Sequence, residues 1–405
     1  MTGDYAGLIK DLVENTPSRI LLVVADGLGG LPMEPGGPTE LEAARTPNLN
    51  ALARSSSLGL LEPVGPGITP GSGPAHLALF GYDPVKYNIG RGVLEGLGID
   101  FRLTGRDVAA RFNFATVDGE GKLTDRRAGR LSTEENRRLV QKLRDGIAPP
   151  PGCGIFIETV KEHRGLLVLR GDGLCGAVHD TDPQELGVPA IPARALVPEA
   201  EKTAALVNEI IAQAMKVLAG ENKGNAILLR GFAKHEPLPT MADRYGVEAF
   251  AVAQYPMYRG LARLVGMTVA PHTASTAEDL DALARNFSAH TFFYLHFKKT
   301  DSCGEDGDFA AKVKAIEELD GMIPALAALK PDVLAVTADH STPCRLAMHS
   351  WHPVPLLLHS PYCRTSGAQR FTENACGAGA LGLRPSVSLM PVLLAHARKL
   401  IKFGA

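Results

Sequence analysis

A serine set between two glycines and directly ahead of a short apolar run, Gly71-Ser72-Gly73-Pro74-Ala-His-Leu-Ala-Leu79, has the pattern of a helix N-terminus, with Pro74 opening the helix and Gly81 closing it. Free backbone N–H groups and the positive end of a helix dipole favour an anion such as phosphate at such a place. Taken alone, the stretch reads as a Gly/Pro turn capped by Ser72, so its chemistry depends on what else the chain supplies. It supplies carboxylates and imidazoles: Asp26, Asp301 and Asp339 each stand just past an apolar run, and His340 and His349 follow the last of them. Such a donor set suits manganese, zinc or cobalt, and a carboxylate-rich pair also accepts magnesium. Metals beside a serine imply phosphoryl chemistry, one ion lowering the hydroxyl's pKa while a second holds the phosphoryl oxygens. No G-x-x-x-x-G-K-[ST] loop is present, so a nucleoside triphosphate held in the Walker manner is not the expected donor. Read singly, Asp26 is equally an Asx turn, and His76, His163, His179 and His235 read as satisfied polar residues.

The elements that must position these groups are strands. Arg19-Ile-Leu-Leu-Val-Val-Ala25, Thr291-Phe-Phe-Tyr-Leu-His-Phe297 and Asp332-Val-Leu-Ala-Val-Thr337 lack polar alternation, as strands buried on both faces of a parallel sheet do. Parallel strands bring Asp26, Asp301 and Asp339 to one sheet edge, where ligands of open α/β sheets gather. Leu31-Pro32 after Asp26-Gly-Leu-Gly-Gly30 opens no helix, against a dinucleotide fold. Thr46-Pro47 starts a helix, another begins at Asp308, and Pro355–Leu358 is a further strand. Gly90–Gly98 reads as a glycine-rich connection in which Arg91 is solvated.

From about Asp107 the texture changes. Val108–Val117 alternates like a half-exposed strand, Ser132–Asp145 reads as an amphipathic helix, Ile155–Val160 with Gly165–Arg170 as a hairpin, Pro198–Leu218 as a helix and Asn225–Arg230 as a strand. This irregular mixture predicts a separate α+β unit, with hinges at Gly98–Arg106 and Pro237–Tyr245. It carries Asp125-Arg126-Arg127-Ala-Gly-Arg130, with Arg164, Arg170 and Arg230 further on. Arginines facing a cleft grip phosphate and carboxylate in bidentate fashion.

At 405 residues two domains are the default expectation, and a net charge of −2 gives no electrostatic reason to expect nucleic acid or an anionic membrane as partner. No apolar run approaches transmembrane length, and residues 1–15 carry acids in a pattern unlike a signal peptide, so a cytoplasmic location is expected. The six cysteines have no C-x-x-C spacing and read as reduced, mostly structural thiols.

Val24-Ala-Asp26-Gly, Thr46-Pro-Asn48, Thr69-Pro-Gly-Ser72-x-x-Ala-His-Leu, Phe80-Gly-Tyr-Asp-Pro84, Lys298-Lys-Thr-Asp301-x-x-Gly, Thr337-Ala-Asp339-His340-Ser-Thr-Pro343 and His349-Ser-x-x-Pro-Val-Pro355 occur in this order. Together they resemble, over nearly the whole chain, the archaeal-type cofactor-independent phosphoglycerate mutases of the alkaline phosphatase superfamily. The resemblance implies an α/β fold, with a three-layer α/β/α phosphatase-like core (1–104 and 244–405) and an inserted smaller α+β substrate domain (105–243). It also implies two divalent ions, manganese foremost with magnesium, cobalt or zinc as alternatives, and no bisphosphoglycerate. Ser72 would be the nucleophile and would ligate one ion with Asp26, Asp339 and His340. Asp301, residue 305 and His349 would hold the other. The implied reaction interconverts 3-phosphoglycerate and 2-phosphoglycerate through a phosphoserine.

Where the family usually shows Gly-His, this chain has Gly304-Glu305, and His352 stands where an acid is common. The expectation is a compensating exchange, with Glu305 as ligand and His352 near the same metal. Arg126, Arg127 and Arg230, and then Arg130, Arg164 and Lys299, are the expected substrate grips. Asp125 or Asp182 is the expected base on the glycerate hydroxyl. The same site with water as acceptor makes a phosphomonoesterase, and with another alcohol a phosphotransferase of the homoserine-kinase kind. A non-enzymatic metal-stabilised scaffold would make Ser72 incidental.

Overall fold

The computed structural model describes residues 5–87, 89–365 and 367–404; the first four residues of the acidic N-terminal stretch lie outside it. Two compact units form, residues 1–88 with 239–405, and residues 89–238. The second unit therefore begins earlier than the change of texture near residue 105 suggests. The reason is local: Arg91–Gly98 is a helix and not a connection, and it buries Val93 and Leu94. A Cβ on Gly92 would lie 2.3 Å from the Ala109 carbonyl oxygen, so only glycine lets this helix lie on its own unit's sheet. Gly98–Arg106 thus falls inside the second unit and cannot be its hinge, whereas Pro237–Tyr245 spans the crossing at 238/239.

Among the described residues the first unit contains an eight-stranded sheet, ordered by first residue as Gly382, Ser57, Val354, Val333, Ile20, Phe292, Ala249 and Thr268. The fold is α/β, with the sheet in a three-layer core. Strand Ile20–Ala25 is central and wholly buried, and it runs parallel to Phe292–Phe297 on one side and Val333–Thr337 on the other. The register pairs Ala25 with Phe297 and Val24 with Thr337. Asp26, Asp301 and Asp339 accordingly leave the sheet at the same edge. Strand Val354–His359 breaks the parallel pattern, pairing antiparallel with both neighbours. None of the described helices is long and apolar enough to cross a membrane.

Two loops at that edge are tied together from beneath. Fully buried Lys312, on helix Phe309–Ala328, donates to the carbonyls of Gly29 (3.1 Å) and Thr342 (2.8 Å). Buried Glu40 accepts from the N–H groups of Leu31 (3.1 Å) and Cys344 (2.7 Å). A Cβ at Gly30 would lie 1.8 Å from Glu40 Oε2, so the glycine makes room for the carboxylate. Glu373 accepts from Gly30 N and Thr39 Oγ1, and burial pushes its carboxyl up to about 7. Its folded-state pKa lies above the unfolded value, so its contribution is complete below about pH 4.5 and is lost as pH rises through about 7. Glu373→Gln is expected to flatten a stability decline on the order of 3 kcal/mol across that window, read by urea unfolding at several pH values.

The second unit, among the same residues, has a five-stranded sheet in which Asp107–Val117 pairs antiparallel with Leu123–Asp125, Arg164–Gly171 and Ala226–Lys234, and Cys153–Lys161 extends it. Asp107–Val117 is therefore a central strand and not a half-exposed one. Its alternation is real, but it separates two covered faces. Val108, Ala110, Phe112 and Phe114 join a core with helices Thr133–Gly146 and Glu201–Leu218. Residues 109, 111 and 113 turn the other way.

Candidate functional site

Helix Ser72–Leu79 starts one residue earlier than a serine cap requires: Gly71 is the N-cap and Ser72 the first helical residue. Pro74 has no N–H and Ala75 N bonds Gly71 O, which leaves the N–H groups of Ser72 and Gly73 at the helix mouth. Ser72 Oγ lies 3.2 Å from His340 Nε2. The same nitrogen lies 3.3 Å from Asp26 Oδ1 and 3.2 Å from Asp339 Oδ2. These two buried carboxylate oxygens have no hydrogen bond. Lone pairs that converge without a proton between them are what a divalent cation satisfies, and among the described residues Asp26, Asp339 and His340 form one such group.

Asp301, His340 and His349 form a second. The hydrogen bonds decide how the shared histidine divides. Thr342 Oγ1 donates to Asp301 Oδ1 (2.6 Å) and accepts from His340 Nδ1 (3.0 Å), so the free lone pair of His340 is on Nε2, facing Ser72, Asp26 and Asp339. His349 Nδ1 donates to the Pro70 carbonyl (3.0 Å), leaving Nε2 to face Asp301 Oδ1 at 3.6 Å. The two imidazoles stack with centroids 3.6 Å apart.

Glu305 stands at the rim, 56% exposed, with Oε1 3.7 Å from His349 Nε2. His352 Nδ1 meets Ser350 Oγ at 3.0 Å and its ring stacks on Trp351. No ion pair or hydrogen bond joins Glu305 to His352 among the described residues, so the expected compensating exchange has no contact to rest on. Lys299 is not brought to the cluster either; it faces outward and pairs with Glu318.

Two histidines that sequence reasoning passed over belong here. His76 Nδ1 donates to Ser72 O (2.9 Å) and lies 3.2 Å from Asp339 Oδ2; burial lowers its pKa, but Asp339 outweighs this and raises it. It is not the independent core residue its isolation in sequence suggests. The i, i+4 step from Ser72 along one helix was the available signal. His296 Nε2 donates to Asp26 Oδ2 (2.9 Å) while stacking on Tyr258 at 3.6 Å. Burial works to raise the Asp26 carboxyl, yet His296, Lys298 and His340 together hold it well below the usual range.

In the second unit, cross-strand register sets Arg111 opposite Arg230 and Asn113 opposite Arg164, on the sheet face away from its larger core. With Arg126, Arg127 and His163 they line a cavity of about 70 Å³. Like charges directly opposite repel. Burial first, then Arg91, Arg164 and Arg230, against the pull of Glu95, bring Arg111 down to about 10. Burial, then Arg164, bring His163 down to about 4, so this ring is a neutral wall of the cavity. Arg91 is exposed, as a solvated arginine is expected to be, and adds its charge to those acting on Arg111. Arg130 is exposed and lies outside the lining, and Arg170 is engaged by Asp107.

Neither expected base is left free. Asp182 is buried, with both oxygens on Arg126 at 2.8 Å and a longer contact to Arg230. Burial raises its carboxyl, but Arg126 and the Gln184 N–H outweigh this and hold it low. Asp125 accepts from the N–H groups of Arg127 (2.7 Å) and Gly129 (2.6 Å), closing the arginine turn.

A family model described as 2,3-bisphosphoglycerate-independent phosphoglycerate mutase matches residues 53–223. A Thermus thermophilus protein named "probable 2,3-bisphosphoglycerate-independent phosphoglycerate mutase" is 54% identical over 407 residues, covering 99% of this chain and 100% of the relative. Among solved structures, a Pyrococcus horikoshii protein is similar with a TM-score of 0.83 and 28% identity, covering 97% of this chain and 100% of that one. A structure titled as the cofactor-independent phosphoglycerate mutase of Thermoplasma acidophilum is similar with a TM-score of 0.70 and 27% identity, over 94% and 100%.

Proposed function

This chain belongs to the 2,3-bisphosphoglycerate-independent phosphoglycerate mutases and is an isomerase of that kind; we propose that it moves the phosphoryl group of 3-phosphoglycerate to the 2-position through a phosphoserine at Ser72. The observation that carries the reading is that Ser72 Oγ and the two buried carboxylate oxygens without a hydrogen bond, Asp26 Oδ1 and Asp339 Oδ2, all lie within 3.3 Å of His340 Nε2. Asp26, Asp339, His340 and Ser72 would hold one divalent ion, manganese foremost. Asp301 and His349 would hold the second, with Glu305 at its open side. Ions there lower the pKa of a neighbouring hydroxyl and neutralise phosphoryl oxygens. Ser72 Oγ gives up its proton and attacks phosphorus, the bond from phosphorus to the glycerate oxygen breaks, and that oxygen takes up a proton. The return transfer reverses both proton movements, and the N–H groups of Ser72 and Gly73 face the incoming charge. The glycerate turns and its other hydroxyl takes the phosphoryl group back, so no bisphosphoglycerate and no water enter.

Arg111, Arg126, Arg127, Arg164 and Arg230 would bind the substrate's carboxylate and phosphate oxygens. Asp182 serves this by fixing the guanidinium of Arg126. Five arginines around Glu95 and Asp182 leave an excess of positive charge that a bound anion relieves. Arg111→Met is expected to raise KM about 10–100-fold while kcat changes less, which steady-state kinetics check.

The test of the reaction is an enolase-coupled assay with 3-phosphoglycerate and Mn²⁺, without bisphosphoglycerate. Conversion supports the mutase; release of inorganic phosphate without conversion would replace it by a phosphomonoesterase. The location expected from composition, the cytoplasm, suits a small-molecule glycolytic substrate.

A further inference from the structure

Asp26 and Asp301 belong to different donor groups, yet each gives one oxygen to the same side chain. Lys298 Nζ lies 3.1 Å from Asp26 Oδ2 and 2.5 Å from Asp301 Oδ2, and it donates to Tyr258 Oη at 3.0 Å. These three partners use all three ammonium protons. The remaining oxygen of each aspartate faces imidazole: Asp26 Oδ1 is 3.3 Å from His340 Nε2, and Asp301 Oδ1 is 3.6 Å from His349 Nε2. Lys299, the next residue, turns outward to Glu318, so the placement of Lys298 is not a general property of this basic pair.

We propose that Lys298 is a positioning residue shared by both metal centres. It clamps Oδ2 of Asp26 and of Asp301, leaves each Oδ1 as a single-oxygen ligand, and sets the two centres at a fixed separation. Without it, two like-charged carboxylates would rotate apart, and each would be free to present both oxygens to one ion. Outer partners that orient ligands in this way typically strengthen metal binding 10–100-fold. A lysine that merely took the place of an ion would act in the opposite sense, since its removal would leave more negative charge for cations. The proposal rests on the two-metal reading above, and the experiment separates the two.

Metal-stripped full-length protein is titrated with Mn²⁺ by calorimetry and by electron paramagnetic resonance of free Mn²⁺. The parent is expected to bind two ions, and Lys298→Met is expected to weaken both sites by about 10–100-fold. His296 touches Asp26 and not Asp301, so His296→Gln is expected to weaken one site only. Tyr258→Phe removes the third ammonium contact together with the hydroxyl's interactions with Asp26 and Ser72. The hydroxyl reaches the Asp301 site only through Lys298, so the smaller weakening expected at that site keeps the proposal open to refutation if Lys298→Met does not fold. Unchanged or tighter Mn²⁺ binding in the Lys298 variant, or in Tyr258→Phe where that variant stands in, overturns the clamp while leaving the two-metal reading intact. Weakening confined to one site overturns its sharing. A parent that binds no Mn²⁺ overturns the two-metal reading, and the clamp with it.

Discussion

Ser72→Ala lowers phosphoglycerate mutase turnover by about 10⁴-fold or more, with KM nearly unchanged. The size follows from the role proposed for the serine: as the first acceptor of the phosphoryl group it would be the nucleophile, and losing a nucleophile costs far more than losing a binding contact. KM is spared because the groups proposed to grip the substrate lie on the arginine face of the second unit. The side chain is small and sits at the first helical position, where alanine is tolerated, so the fold should persist, while the ion proposed at Asp26, Asp339 and His340 is held by one ligand fewer. Brief acid quenching of the parent with ³²P-labelled 3-phosphoglycerate should trap acid-stable label on the protein, and the variant should carry none. A variant within about tenfold of the parent rate, or one that still carries label, would remove Ser72 from the chemistry.

The second large effect is expected from Asp339→Asn. Asp339 is fully buried, accepts from Gly27 N at 3.2 Å through Oδ1 and turns Oδ2 toward His340 and His76. Asparagine keeps the shape and the bond to Gly27, but removes the charge that offsets an ion at the Ser72 side. Bound metal should fall from two ions to one, with the Asp301–His349 side retained. Transition-state stabilisation by such an ion amounts to several kcal/mol, so turnover should fall about 10³-fold. Metal analysis after desalting, alongside Asp301→Asn as the reciprocal loss, checks the division of ligands. Loss of both ions from either variant would mean that the centres do not fill separately.

The donors at the sheet edge were legible because they follow a strong signal. Asp26 and Asp339 come within two residues of the end of a run with no polar alternation, Asp301 lies in the first turn of the helix Lys299–Glu305 that follows another, and only a strand covered on both faces tolerates such a run. His296 was illegible for the same reason: it lies inside one of those runs, and nothing in a uniformly buried strand marks one residue as facing a carboxylate. Arg111 and His163 were hidden differently. Their contacts come from cross-strand register in an antiparallel sheet, which the spacing along one strand does not contain. The domain boundary was missed because a helix with glycines at 92, 96 and 98 looks like a linker until the sheet it lies on is known. Glu305 shows the converse limit, since its place in a motif marked it as a ligand while its side chain stands largely in solvent.

The order of strands in the first unit also bears on how the protein is made. Residues 89–238 are continuous and can fold as they leave the ribosome, whereas strand Ile20–Ala25 finds its parallel neighbours only when residues 292–297 and 333–337 have been synthesised. Asp26 and its partner His296 are 270 residues apart, a delay of about 15–55 s at ordinary elongation rates of about 5–20 residues per second. Through that interval the nascent chain carries Ile-Leu-Leu-Val-Val-Ala, six apolar residues with open strand edges, ahead of an already folded insert. The cluster of Asp26, Asp301 and Asp339 at the sheet edge is therefore among the last parts of the molecule to form.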